Sequence, residues 1–150
     1  MVFNQDFKEF IQLLNANQVR YLVVGGYAVA LHGHPRYTKD LDIWLEMTPP
    51  NGANMIKALI EFGFGALDLQ VADFLVAEQV IQLGYPPNRI DLLNDLAGVE
   101  FARCYEQHIE TMIDGVTVKF IDLENLKINK KAVGRLQDLA DLEKLAWVGF

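Results

Sequence analysis

The chain has 150 residues, 51% of them hydrophobic and 22% charged, which predicts one domain over residues 1 to 150 that buries about two-thirds of its unfolded surface. Its net charge of −7 argues against a general nucleic-acid binder, because neutralising backbone phosphates supplies most of such a protein's affinity. The one cysteine, Cys104, excludes an intramolecular disulfide and a cysteine-based zinc site. Two histidines, His32 and His34, lack the further nearby ligands that zinc needs.

The start of the chain and its apolar runs predict its location. The first residues have neither the basic nor the apolar region of a signal peptide, and no apolar run approaches the ~18 residues of a membrane span. A lone cysteine also suits a reducing compartment. We therefore expect a soluble, cytoplasmic protein with no membrane partner.

A helix, a strand and a glycine pair open the chain. Apolar residues recur at helical spacing over 3 to 16 and predict an amphipathic helix, and a strand is predicted over 20 to 25. Gly25 and Gly26 then predict a sharp turn into a helix that starts at Tyr27. Glycines let backbone N–H groups approach an anion closely, and the positive end of a helix favours the charge. This segment predicts a phosphate-binding loop, although it matches neither the dinucleotide-binding nor the P-loop pattern.

Two aspartates mark the next strand. Side chains alternate along a strand, so Asp40, Asp42 and Trp44 share one face. The two carboxylates lie roughly 6.5 to 7 Å apart along such a strand and can converge on Mg²⁺ or Mn²⁺, which prefer oxygen ligands. The alternative is a solvated polar face at a strand edge. We expect Trp44 to pack in the core rather than to stack on a base.

The middle of the chain predicts a helix and a pair of strands. Residues 48 to 52 contain two prolines and a glycine and predict a break, after which a helix is predicted over 53 to 62. Strands are predicted over 80 to 83 and 89 to 93. Asp91 would lie on the second of these strands, and the alternative is a residue at a strand end or in a turn.

The last third of the chain predicts a helix, a hairpin and a helical tail. A helix is predicted near 98 to 106 and the tail over 123 to 147. Between them, Asp114 and Gly115 predict a two-residue hairpin turn between two apolar runs.

Basic residues recur along the tail. Lys127, Lys131 and Arg135 are spaced by four and therefore line one face of a helix, which in the simplest alternative is only a solvated face. Gly134 predicts a break between two helices, and Asp138 is expected to pair with Arg135 or Lys131 rather than to bind metal.

The order of these features resembles the DNA polymerase β-like nucleotidyltransferase superfamily. The shared features are a glycine pair, a helix, a D-x-D strand and a later carboxylate between apolar residues on another strand, here Asp91. The block from His32 to Asp42 is also similar to a small bacterial branch that includes nucleotidyltransferase toxins of toxin–antitoxin and abortive-infection systems. Residues 130 to 141 resemble the K-x-x-x-G-R-x-x-D-x-x-D segment of that branch, in which basic residues face the substrate phosphates.

The resemblance implies an α/β (α+β) fold, with a small mixed sheet flanked by helices and a helical C-terminal tail. It implies transfer of a nucleoside monophosphate from a nucleoside triphosphate (NTP) to an acceptor hydroxyl, with Mg²⁺ or Mn²⁺ as cofactor. Asp40, Asp42 and Asp91 would bind the metal and act in catalysis. The residues that would hold the nucleotide are Gly25, Gly26, Arg36, Thr38, Lys131 and Arg135.

The resemblance leaves the acceptor and the partner open. The acceptor would be tRNA, a protein hydroxyl or a small molecule such as an antibiotic, and the expected protein partner is a cognate antitoxin or toxin. Two other classes stay open: a nucleotidyltransferase fold that binds nucleotide without turnover, and a structural domain with surface carboxylates. The presence of all three aspartates favours the enzyme, since a degenerate copy should have lost at least one.

Overall fold

One mixed β-sheet carries the predicted carboxylates. The computed structural model describes residues 3–33 and 40–148. The strands in these residues are Tyr21–Val24 (β1), Leu41–Leu45 (β2), Val80–Leu83 (β3), Ile90–Leu93 (β4), Ile109–Ile113 (β5) and Val116–Phe120 (β6). They form one sheet in the order β3-β4-β2-β1-β6-β5. The pairs β2–β4 and β1–β6 are parallel, and the other three neighbouring pairs are antiparallel.

Helices flank this sheet. Within the same described residues they are Gln5–Ala16 (α1), Gly25–Leu31 (α2), Pro49–Phe62 (α3), Phe101–Glu106 (α4), Leu123–Val133 (α5) and Leu136–Val148 (α6). Two short 3₁₀ turns, Gly65–Leu67 and Val71–Phe74, follow α3. The predicted class, a mixed sheet flanked by helices with a helical C-terminal tail, is confirmed.

The centre of the sheet lies in the hydrophobic core. All four residues of β1 are buried, and α1 packs its apolar stripe inward, as its helical spacing predicts. Asn4 starts α1, since its side chain accepts a hydrogen bond from the backbone N–H of Phe7 at 2.8 Å. Trp44 is buried and packs edge-on against Phe101, with ring centroids 5.2 Å apart, as predicted for a core residue. The strand β2, which contains Asp42, and its neighbour β1 therefore lie in the buried centre of the sheet.

Two predicted helix starts are wrong, each by a few residues. The helix α3 starts at Pro49, not at residue 53, because Thr48 caps it by accepting a hydrogen bond from the Asn51 N–H at 3.3 Å. Proline fits the first position of a helix, where no N–H donor is needed, so the prolines extend the helix instead of breaking the chain. The helix α2 starts at Gly25 rather than at Tyr27.

Two predicted breaks between elements, at Asp114–Gly115 and at Gly134, are found in the structure. Asp114 and Gly115 have φ of 50° and 81° and join β5 to β6, as predicted from their identities. Gly134 has φ of 69° and separates α5 from α6, so the predicted break in the tail is confirmed. In the part of the chain that the structure describes, no helix is both long and apolar enough to cross a membrane.

Candidate active site

The sheet register places the predicted carboxylates side by side. Strands β2 and β4 are parallel neighbours, and Asp42 lies directly opposite Asp91. One residue earlier on each strand, Leu41 pairs with Ile90, and the Leu41 N–H donates a hydrogen bond to the Arg89 carbonyl at 3.1 Å. Asp40 and Arg89 therefore meet at the entry to the two strands. We call Asp40, Asp42 and Asp91 the carboxylate cluster.

Arg89 joins two members of this cluster. Its Nη2 donates to Asp40 Oδ2 at 2.6 Å and to Asp91 Oδ2 at 3.3 Å, and its Nε lies 3.1 Å from Asp91 Oδ1. The side chains of Arg89 and Asp40 are 28% and 30% exposed, so the bridge is half-buried rather than free in water. Arg89 was not among the residues predicted from the sequence. Its signal was the spacing of two from Asp91, which puts both side chains on one face of a strand.

Burial and repulsion between carboxylates favour the protonated forms of Asp42 and Asp91 by raising the pKa of each. Burial, and then the charges of Asp91 and Asp40, raise the pKa of Asp42 to about 7. Burial also raises the pKa of Asp91, against the opposing charge of Arg89. Asp42 and Asp91 are opposite each other on adjacent parallel strands, so their carboxyl groups form a pair. A nearby cation would favour the ionised form of such a pair.

Gly25 makes room for Asp42. Val24 at the end of β1 pairs with Asp42, which brings Gly25 against the aspartate side chain. A Cβ atom at position 25 would overlap Asp42 Oδ2 and lie 3.0 Å from its Cγ, and φ of 66° there also favours glycine. Gly26 is buried in the first turn of α2. Gly25, the first glycine of the predicted pair, therefore adjoins Asp42.

The C-terminal tail brings Lys130 towards the cluster. Lys130 is 4% exposed, and its Nζ lies 3.1 Å from Asp138 Oδ1 and 3.2 Å from Asp141 Oδ2. Its positive charge favours the ionised form of Asp42. Burial alone would raise the pKa of Asp138, but hydrogen bonds from Arg135 and Lys130 hold it below its usual value. Lys130 is thus a buried charge that α5 holds against two aspartates of α6.

Lys130, rather than Lys131, is the lysine that pairs with Asp138 in the tail. Lys131 is exposed, because the buried face of α5 contains Leu126, Asn129 and Lys130, and the next residue points away from it. Asp138 pairs with Arg135 as predicted, through Nε to Oδ2 at 2.6 Å, but its lysine partner is Lys130 and not Lys131. The sequence held a usable signal, since Lys130 is the first lysine of the K-x-x-x-G-R segment.

Four other residues considered in the sequence, Arg36, Thr38, His32 and His34, complete the comparison. Arg36 and Thr38, predicted to hold the nucleotide, lie outside the described residues, as does His34. His32 Nε2 lies 2.8 Å from the Ile121 carbonyl oxygen, so a backbone contact accounts for this side chain.

The donor chemistry of the carboxylate cluster fits a divalent cation. Its side chains are hard oxygen donors on adjacent strands, and Asp91 Oδ1 is buried without a hydrogen bond of good geometry. Among the described residues, however, no three acidic, histidine or cysteine side chains are already arranged around one point as metal ligands. The guanidinium of Arg89 is in contact with both Asp40 and Asp91.

The chain has the fold of nucleotidyltransferases, as comparison with solved structures shows. A presumed nucleotidyltransferase of Thermotoga maritima superposes with a TM-score of 0.63 at 15% identity, covering 99% of this chain and 96% of the other. The lincosamide antibiotic adenylyltransferase LnuA, bound to lincomycin, gives a TM-score of 0.58 at 14% identity over 98% of both chains. An antigenic nucleotidyltransferase-like protein of Paracoccidioides brasiliensis gives 0.57 at 14% identity, covering 96% of this chain and 77% of the other.

Sequence comparison alone adds no relative. No protein-family model matches the chain, and no curated protein matches it either. At 14 to 15% identity, the solved structures show that the fold is shared, and the chemistry has to be argued from the residues of this chain.

Proposed function

We propose that this protein is a nucleotidyltransferase that uses Mg²⁺ or Mn²⁺ to move a nucleoside monophosphate from an NTP to an acceptor hydroxyl. The main observation in its favour is the register of β2 and β4, in which Asp42 is opposite Asp91. The Arg89 guanidinium contacts both Asp91 and Asp40. A fold shared with nucleotidyltransferases supports the same proposal. Burying carboxylates beside one another costs free energy, which argues against a domain in which they are only solvated surface groups.

The carboxylate cluster has two tasks in this proposal. Asp40, Asp42 and Asp91 would hold the cation, which when bound supplies charge neutralisation for the triphosphate. Asp91 is the carboxylate that takes the proton of the acceptor hydroxyl. The acceptor oxygen bonds to the α-phosphorus while the bond from that phosphorus to the pyrophosphate oxygen breaks, and the pyrophosphate leaves.

The residues around the cluster hold the nucleotide. Gly25 and Gly26 offer backbone N–H groups at the start of α2, next to Asp42. Lys130 supplies a buried positive charge from α5, and Arg135 lies beside it at Asp138. Arg36 and Thr38 belong to the same proposal on sequence grounds alone, and Lys131 contributes less because it faces solvent.

The acceptor in this proposal is a hydroxyl of an RNA, a protein or a small molecule. LnuA is an adenylyltransferase for lincosamide antibiotics, and its likeness to this chain keeps a small-molecule acceptor among the three classes. The resemblance to toxin–antitoxin nucleotidyltransferases supports a cognate antitoxin or toxin as the protein partner.

Metal-dependent nucleotide binding tests the proposal. We expect calorimetry to show an NTP binding in Mg²⁺ and binding at least about tenfold more weakly in EDTA, because a cation held by the carboxylate cluster would neutralise charge on the triphosphate. Asp42→Asn should abolish this difference by removing a central ligand. Thermal unfolding of Asp42→Asn without metal serves as the folding control.

The rival without turnover predicts another result. A fold that binds nucleotide through backbone N–H groups and Lys130 alone would bind the NTP equally well in Mg²⁺ and in EDTA. Equal affinity, unchanged in Asp42→Asn, would contradict the proposed enzyme and favour the binding module.

A further inference from the structure

Arg89 makes ionic contacts with two members of the carboxylate cluster, Asp40 and Asp91. It is the residue just before β4, on the same strand face as Asp91, and it lies next to Asp40 across the parallel pair. One guanidinium thus spans two strands, with contacts of 2.6 Å to Asp40 Oδ2 and 3.1 Å to Asp91 Oδ1. A planar guanidinium matches carboxylate geometry well, and hydrogen bonds between charged partners are the stronger ones.

These contacts conflict with a bound divalent cation. A cation held by oxygens of Asp40 and Asp91 would lie within a few ångströms of the guanidinium that contacts the same two side chains. Two cations at that distance repel each other, most strongly where burial lowers the effective dielectric constant. The Arg89 side chain is 28% exposed, so it has solvent on one side into which it can turn.

We propose that Arg89 is a displaceable counter-ion of the carboxylate cluster, which we call the clasp. It pairs with Asp40 and Asp91 in the metal-free protein and releases both carboxylates when a divalent cation binds. The guanidinium then contacts the triphosphate. The proposal rests on the proposed function, since it concerns the same site. The clasp lowers the cost of burying the carboxylates before the cation arrives. After release the same planar fork is suited to phosphate oxygens, which guanidinium groups bind in pairs of hydrogen bonds.

The clasp predicts effects of opposite sign on two ligands. Arg89→Gln should bind Mn²⁺ alone about tenfold more tightly, because the metal no longer competes with the guanidinium. In saturating Mn²⁺, the same variant should bind an NTP about tenfold more weakly, because a phosphate contact is missing. Free Mn²⁺ is measured by electron paramagnetic resonance and NTP binding by calorimetry. A residue with a purely structural role would weaken both affinities together.

Two further variants keep the test independent of folding. Arg89→Lys retains the charge but cannot span both carboxylates, so its Mn²⁺ affinity should fall between those of the wild type and Arg89→Gln. Arg20→Gln is the matched control. Arg20 pairs with Glu46 at 2.9 Å, at the opposite end of β1 and β2 from Asp42, and its loss should change neither affinity.

The outcomes separate this proposal from the proposed function. If Asp42→Asn loses Mn²⁺ but Arg89→Gln binds it no more tightly than the wild type, the clasp is overturned and the metal site stands. If neither the wild type nor Arg89→Gln binds Mn²⁺, both proposals fail. Tighter Mn²⁺ binding together with weaker NTP binding in Arg89→Gln supports the clasp.

Discussion

Gly25→Ala is expected to abolish metal-dependent nucleotide binding while leaving most of the fold in place. The new Cβ would overlap Asp42 Oδ2 and lie 3.0 Å from Cγ and 3.2 Å from Cβ of the same side chain, so Asp42 has to move out of the carboxylate cluster. The φ of 66° costs an alanine a further ~1 to 2 kcal/mol. Calorimetry with an NTP in Mg²⁺ measures the loss of binding, and thermal unfolding measures the loss of stability.

Gly115→Ala is the matched control for this substitution. Gly115 has φ of 81° in the hairpin between β5 and β6, and no neighbouring atom lies within 4 Å of an added Cβ. Alanine there is therefore strained in its backbone but overlaps no other side chain. We expect it to lower the melting temperature and to leave nucleotide affinity unchanged. Wild-type metal-dependent affinity in Gly25→Ala would show that Asp42 is not where the nucleotide binds.

Lys130→Met is expected to cost the largest amount of stability of the substitutions considered. Asp138 and Asp141 are 1% and 0% exposed, and removing the lysine takes a cation from both buried carboxylates. Breaking a buried ion pair on one side costs about 3 to 5 kcal/mol. In a chain of this size that lowers the melting temperature by roughly 10 °C.

Lys144→Met is the control, because Lys144 is exposed on α6 and its loss should change stability little. Nucleotide affinity is the second measurement on Lys130→Met, made at a temperature at which the variant is folded. Lys130 lies close enough to Asp42 to influence its ionisation, so we expect weaker NTP binding as well as lower stability. A Lys130→Met protein as stable as the wild type would contradict the buried ion cluster that joins α5 to α6.

Strands and turns that depend on the local order of residues could be predicted from the sequence. Contacts between side chains on different strands could not, because they depend on the register of the sheet. The alternation of Leu41, Ile43 and Leu45 with the aspartates predicted β2, and the identities of Asp114 and Gly115 predicted the hairpin. The role of Arg89 could not be predicted in this way, because it depends on which residue of β2 lies beside it, and that register belongs to the folded sheet.

In the C-terminal tail, the spacing of residues was likewise not enough to predict which side chains are buried. A spacing of four identifies residues on one face, so Lys127, Lys131 and Arg135 formed a stripe in the sequence. Spacing does not say which face is buried. In α5 the apolar Leu126 decides it, and the helix turns Lys130 inward and Lys131 outward. A step of one residue therefore decides which lysine is buried beside Asp138 and Asp141.

Transfer of a label from the α-phosphate tests the central claim most directly. The protein is incubated in Mg²⁺ with NTPs labelled in either the α- or the γ-phosphate and with separated RNA, protein and small-molecule fractions of a cell extract. We expect label from the α-phosphate, and none from the γ-phosphate, to become attached to a component of one fraction, and Asp42→Asn to abolish the transfer. Transfer from the γ-phosphate, or no transfer from either position, would contradict nucleotidyl transfer by this carboxylate cluster.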